Sequence, residues 1–137
     1  MLPRMDIETA ALTVTDPNSP LGDPLMKDGE PITVTIYSPT SGVMRRFDEE
    51  QQDNMARRAS KSMKLKLEGE NLRALAEKRT MASIADWSSN LRITDDDFPC
   101  TEGNKLVIAT DPAYDWLRSQ IDEFAGEAAN FISRAET

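Results

Sequence analysis

"DPAYDWLRSQIDEFAGEAANFISRAET", residues 111–137, is the stretch on which the fold turns. Asp111 has the side chain of a good N-cap, and Pro112 suits the first helical position, where an N–H would lack a partner anyway. From there Ala113, Trp116, Leu117, Gln120, Ile121, Phe124, Ala128, Phe131, Ile132 and Ala135 recur at spacings of three and four. That period predicts an amphipathic helix of about 24 residues, roughly 36 Å long at about 1.5 Å per residue. Burying its large side chains contributes about 1.5–3 kcal/mol each before ordering entropy is charged. The stripe reads first as core. Its last turns, Phe131 and Ile132, have little sequence after them to cover them, so Trp116, Ile121, Phe124, Phe131 and Ile132 also form a candidate docking surface.

Working back from this rod, "GNKLVIAT" (103–110) is short and apolar. It fits a short helix docked ahead of the long one, with a strand as the alternative. Before it lies "LRITDDDFPCTEGN" (91–104), where Asp95, Asp96 and Asp97 stand in a row. A calcium loop of EF-hand type starting at Asp95 would need Gly at the sixth place and Glu at the twelfth. Cys100 and Leu106 stand there instead, and consecutive carboxylates diverge in an extended chain. The row is a solvated connector. Cys100 has no histidine to activate it, and its acidic neighbours hold its thiol protonated.

Residues 41–90 are rich in helix formers, with a weak point at Gly69. In the first part Phe47, Gln51, Met55, Ala59 and Met63 make a narrow stripe; in the second, Leu72, Leu75, Ala76, Met81, Ile84 and Trp87 make a broader one. The basic stretch "ARRASKSMKLK" (56–66) follows Asp48, Glu49, Glu50 and Asp53, an order that favours the helix dipole and reads as a solvated face. Its functional alternative is a contact for an acidic protein surface, through Arg57, Arg58 and Lys61.

Six of the eight prolines fall in the first 40 residues, around two alternating runs. Leu12 and Val14 share one side of "ALTVT", and Ile32, Val34 and Ile36 share one side of "ITVTIY". Asp16-Pro17 and Asp28-Gly29 supply turn chemistry between them. These runs predict a Pro-rich arm over 1–40 carrying a β-hairpin, whose apolar face rests on a helical domain over 41–137 to form one compact unit. The expected class is α+β, mostly α-helical, with a small ribbon on a bundle of about four helices.

The whole-chain totals narrow the function. Leu, Ile, Val and Phe make up 27 of 137 residues, and the formal net charge is −8, so the core is small and stability modest. There is no histidine, which removes the commonest general base and transition-metal ligand. A lone cysteine excludes an intrachain disulfide and a multi-cysteine metal site. No phosphate-binding loop or catalytic constellation emerges, so no enzyme activity, cofactor or metal is expected. The acidity argues against nucleic acid, which needs clustered cations. The N-terminus has no apolar signal core, and no apolar run approaches the ~20 residues of a membrane span, so a soluble cytosolic protein is expected.

Read in order, several stretches resemble the small tail assembly chaperones of long-tailed bacteriophages. They are "DGEPITVTIYSPTS" (28–41), "ADWSSNLRI" (85–93) and "DFPCTEGNKLVIATDPAYDWLRSQIDEFAGEAANFI" (97–132). The residues that match that family's pattern are Tyr37, Pro39 and Ser41 in a strand-ending turn, Trp87 before a turn, and Phe98, Thr101 and Asn104 in a cap. Pro112, Trp116, Gln120, Ile121, Asn130 and Phe131 match its last helix. "WSSN" (87–90) stands where the family has Trp-Ser-Gly, and Asp95–Asp97 stand in place of a Gly-containing turn.

The resemblance implies a non-enzymatic protein that binds the tape-measure protein and helps tail-tube protein polymerise around it in the host cytoplasm. Such proteins are often absent from the mature virion. A homo-oligomer and a longer, frameshifted product are further partners it implies. Under the same reading Trp87 anchors the preceding helix, Phe98 plugs the core and Thr101 caps the short helix. The alternative, drawn from the Pro-rich arm, is a structural virion component, a tail or head–tail connector subunit.

Overall fold

The computed structural model describes residues 6–61 and 69–132, with side chains for 6–57 and 72–132. Along the chain come β1 (Thr9–Thr13), the short β2 (Met26–Lys27) and β3 (Glu30–Pro31), β4 (Thr33–Tyr37), α1 (Gly42–Lys61), α2 (Gly69–Ser83), β5 (Ile84–Trp87), α3 (Glu102–Thr110) and α4 (Asp115–Ala125), with 3-10 turns at Pro112–Tyr114 and Ala128–Phe131. The class is α+β and mostly helical.

Alternation builds the sheet. β1 lies antiparallel to β4 with Leu12 opposite Val34 and Ala10 opposite Ile36. Val34 and Ile36 are fully buried while Thr33, Thr35 and Tyr37 are half-buried, as a two-sided strand requires. The long connection carries its own hairpin, β2–β3, closed by Asp28 and Gly29 at φ 56° and 79°. Two successive positive φ angles are what a tight hairpin turn of this hand demands, and Asp-Gly supplies them at low strain. Asn90 Nδ2 holds the hairpin from beneath, donating to Lys27 O at 3.1 Å and Glu30 O at 3.0 Å, and Arg92 pairs with Asp28.

The sequence predicts helix through Trp87; the structure corrects this. α2 stops at Ser83, whose hydroxyl donates back to Thr80 O at 2.7 Å, and Ile84–Trp87 becomes β5, the third strand, on the far side of β4. The ladder to β4 buries both Ile84 and Trp87, and this outweighs the helical leaning of the segment. The indole stacks on Phe98 at 5.4 Å and donates to Phe98 O at 2.7 Å, so Trp87 anchors the connector to the sheet instead of anchoring a helix. Phe98 packs against the core as expected. Asp95, Asp96 and Asp97 are exposed.

α3 begins where Thr101 accepts from Asn104 N, the expected cap. The long rod does not form as one helix. Asp111 caps the 3-10 turn, accepting from Ala113 N at 2.9 Å; α4 then runs only to Ala125. The chain breaks at Gly126 and Glu127, and Asn130 Nδ2 donates to Phe124 O at 3.0 Å, fixing the returning segment. The return drives Phe131 to full burial, where its ring meets Phe124 edge-on at 5.8 Å. A straight helix would have carried Phe131 past the body and left it wet.

One core joins the whole. Val14, Ile32, Val34, Ile36, Ile84, Trp87, Leu91, Ile108, Leu117, Ile121 and Phe131 form a single buried cluster that draws on both sides of residue 40. No described residue of α1 belongs to it, although Met44 at the start of that helix is buried. The stripe position Met63 lies outside the described residues, as do Lys64 and Lys66 of the basic stretch and the side chains of Arg58, Ala59 and Lys61. No helix among the described residues is long and apolar enough to cross a membrane.

Candidate functional site

Surface depressions gather along α2. On one flank a cleft of about 390 Å³ is bounded by Tyr37, Pro39 and Met44, by Arg79 and Thr80 on α2, and by Asp122 and Ala125 on α4. A second, of about 380 Å³, continues from it past Glu77, Thr110 and Arg118, sharing Ala76, Thr80 and Asp122. A third, of about 420 Å³, opens on the opposite flank over Val43, Phe47, Met81 and Ile84, rimmed by Glu50, Lys78, Glu102 and Lys105.

Thr80 and Asp122 sit where the first two clefts meet. The buried Thr80 hydroxyl lies 2.7 Å from Asp122 Oδ1 and 3.1 Å from Ala76 O. Asp122 is exposed as a residue, but its carboxyl end turns into the clefts. Loss of water there pushes its pKa up, while the hydrogen bond from Thr80 and the charge of Arg118 pull the other way. Arg118 is itself committed: it pairs with Asp115 and donates to Ala109 O, closing the C-terminus of α3. Arg79 pairs with Asp48, linking α1 and α2.

α1 and α2 also leave apolar side chains open. Met55 is 42 % exposed and Leu72 53 %, far more than a helix stripe paired to the body would leave. Val43 borders the third cleft in the same way. These residues are what α1 and α2 can offer to a further apolar surface.

The residues picked from sequence fall into three groups. Ile121 and Phe131 are buried in the core, leaving neither with surface to offer a partner; the fold-back at Gly126 is the reason for Phe131, and Ile121 lies on α4, which packs on β4. Trp116, Phe124 and Ile132 are half-buried at its margin. Arg57 is exposed on α1, while the side chains of Arg58 and Lys61 lie outside the described residues. Of the basic stretch, then, only Arg57 among the candidate contact residues has a described side chain.

Among the described residues, no group of three or more histidine, cysteine or carboxylate side chains is placed to hold a metal ion. Cys100 is half-buried, and its thiol is pushed up first by burial, against the pull of Lys105 and with smaller help from Asp86 and Glu102. Its neighbours' charge, on which the sequence reading rested, is the lesser cause. Thr80 and Asp122 carry no signal in the sequence, since a threonine and an aspartate on helix faces are ordinary.

No family model, curated protein or solved structure matches the chain.

Proposed function

We propose that this protein is a tail assembly chaperone of a long-tailed bacteriophage, binding the tape-measure protein and promoting polymerisation of tail-tube protein around it without catalysing a reaction. The observation that carries the reading is the ordered series of motifs from Asp28 to Ile132. Residues of that series hold key joints of the fold. Ser41 accepts from Met44 N at the start of α1, Trp87 clamps Phe98, Thr101 caps α3, and Gln120 joins α4 to the chain beyond β1.

The open apolar residues of α1 and α2 support the same function. Met55 and Leu72 are exposed and Val43 borders the third cleft, and an unbranched methionine adapts to varied apolar surfaces. A surface of this kind can shield a sticky helical polypeptide and release it again. The protein then acts in the host cytoplasm and leaves before the virion is complete.

Co-expression with the tape-measure protein of the same phage tests this. Soluble tape-measure protein is expected to rise with this chain present, and to fall back when Met55→Glu and Leu72→Glu are combined, changes at exposed positions that leave the fold intact. Tape-measure solubility that ignores the parent chain would refute the reading. Stoichiometric recovery from purified virions would replace it with a structural tail or connector subunit.

A further inference from the structure

The sheet ends at β1, and the hydrogen bonds along its outer edge follow a strict parity. Ser38 N donates to Glu8 O and Val14 N to Ile32 O, so the even-numbered residues of this strand turn their backbone groups toward β4. The odd-numbered ones turn theirs outward. At the two ends the outward groups are occupied: Ile7 N donates to Phe131 O at 3.2 Å, and Thr15 is gripped through both N–H and C=O by the Gln120 amide. Between these closures stand Thr9, Ala11 and Thr13. Among the described residues, nothing bonds to their outward N–H and C=O groups.

Proteins guard such edges with charge, proline, glycine bulges or cover, because an open ladder recruits other strands. "TAALT" (9–13) has none of the first three. Its cover is partial: the turn Ala128–Phe131 approaches β1 at the Ile7 end and Gln120 closes the other, with the half-buried rings of Phe124 and Trp116 one turn to either side of Gln120 on α4. The surroundings are acidic. Residues 6–26 hold four carboxylates and no cation, and Glu123 and Glu127 add two more, while Asp115, Arg118 and Asp122 turn toward α2.

We propose that the outer edge of β1 is a docking site for an extended, positively charged segment of another protein, which adds to the sheet as a fourth strand. The three open N–H groups and three carbonyls give it its ladder. Alternate side chains of the incoming strand lie over Ala10, Leu12 and the flanking rings, and its lysines or arginines answer the surrounding carboxylates. A second copy of this chain is the poorer occupant, because it would bring acidic flanks against acidic flanks. The site stands independently of the tail-assembly reading.

The probe is a fluorescein-labelled peptide, Lys-Lys-Thr-Val-Thr-Val-Thr-Lys-Lys, titrated into the full chain and followed by anisotropy. Saturable binding is expected, weakened about tenfold or more when glutamates replace the lysines, and weakened by ~0.5 M salt. Ala11→Pro removes an outward N–H and no rung to β4, so it should keep the circular dichroism of the parent and lose at least about tenfold in affinity. Should that variant fail to fold, Thr9→Pro at the first strand position takes its place. Amide exchange at Thr9, Ala11 and Thr13 should be fast in the free protein and slow with peptide bound. The proposal is overturned by no binding of the lysine peptide, by equal binding of the two peptides, or by a folded proline variant that binds unchanged. Protection of the three amides in the free protein would also overturn it, since the edge would then already be covered by this chain or a second copy.

Discussion

Gln120 holds Thr15 as a neighbouring strand would: its side-chain oxygen accepts from Thr15 N at 2.8 Å and its side-chain nitrogen donates to Thr15 O at 2.9 Å. A carboxamide offers the same donor and acceptor pair as a peptide unit, so one side chain on α4 completes the ladder just beyond β1. Gln120→Leu keeps the bulk but strands both groups in a partly buried place. The expected loss is about 1–3 kcal/mol, read from the urea midpoint at unchanged slope.

The break after α4 is held by burial more than by glycine. A Cβ on Gly126 would sit 3.5 Å from Asp122 O and 3.7 Å from Glu123 O, ordinary contacts, and its φ of −83° suits any residue. Gly126→Ala should therefore change stability by no more than about 1 kcal/mol. Phe131→Ala should lose about 3–5 kcal/mol, because it empties a fully buried site against Phe124. Equal losses in paired denaturation curves would assign the break to the backbone instead.

The turn of β2–β3 isolates a purely conformational effect. Nothing lies within 4 Å of a Cβ built on Gly29, yet its φ is 79°. Gly29→Ala meets no clash and still costs about 1–2 kcal/mol, the difference an L-residue feels in the left-handed region. Thermal unfolding of this variant beside the parent is the measurement.

Asp122 gives a pH dependence whose sign follows from its environment. Burial raises its carboxyl in the folded state above the unfolded value, so the folded form holds the proton more firmly. The contribution is fully present below the unfolded pKa and is lost as pH rises through the folded one. Asp122→Asn keeps an acceptor for Thr80 and removes the charge. The variant should be more stable than the parent at pH 7, and the gap should close as pH falls through the carboxylate range; a gap that widens in acid would contradict this.

Elements with one consistent local signal were legible in the sequence. The alternation around Val34 and Ile36 and the Asp28-Gly29 turn each follow from short-range chemistry, and the structure keeps them; the Thr101 cap, which the family resemblance implied, also forms. β5 was not legible, for a geometric reason. Ile84 and Trp87 are three apart, a spacing that suits one side of a helix; on a regular strand they would face opposite ways. The irregular register between Thr35 and Ile36 lets both turn inward, and no residue type announces such a shift. Phe131 misled similarly, since it follows Phe124 by seven residues, two helical turns, although the chain between them is folded back. The candidate site was not legible, because Thr80 and Asp122 meet only through tertiary placement.

The place of β5 governs the order in which the chain can mature on the ribosome. β4 ends at Tyr37 and its third-strand partner begins at Ile84. At about 5–20 residues per second, roughly 2–9 s of translation separate the two. Throughout that interval the nascent sheet is a lone two-stranded ribbon, too small to persist by itself, with the inner edge of β4 unsatisfied. Closure of the three-stranded sheet must wait for the later segment to clear the exit tunnel.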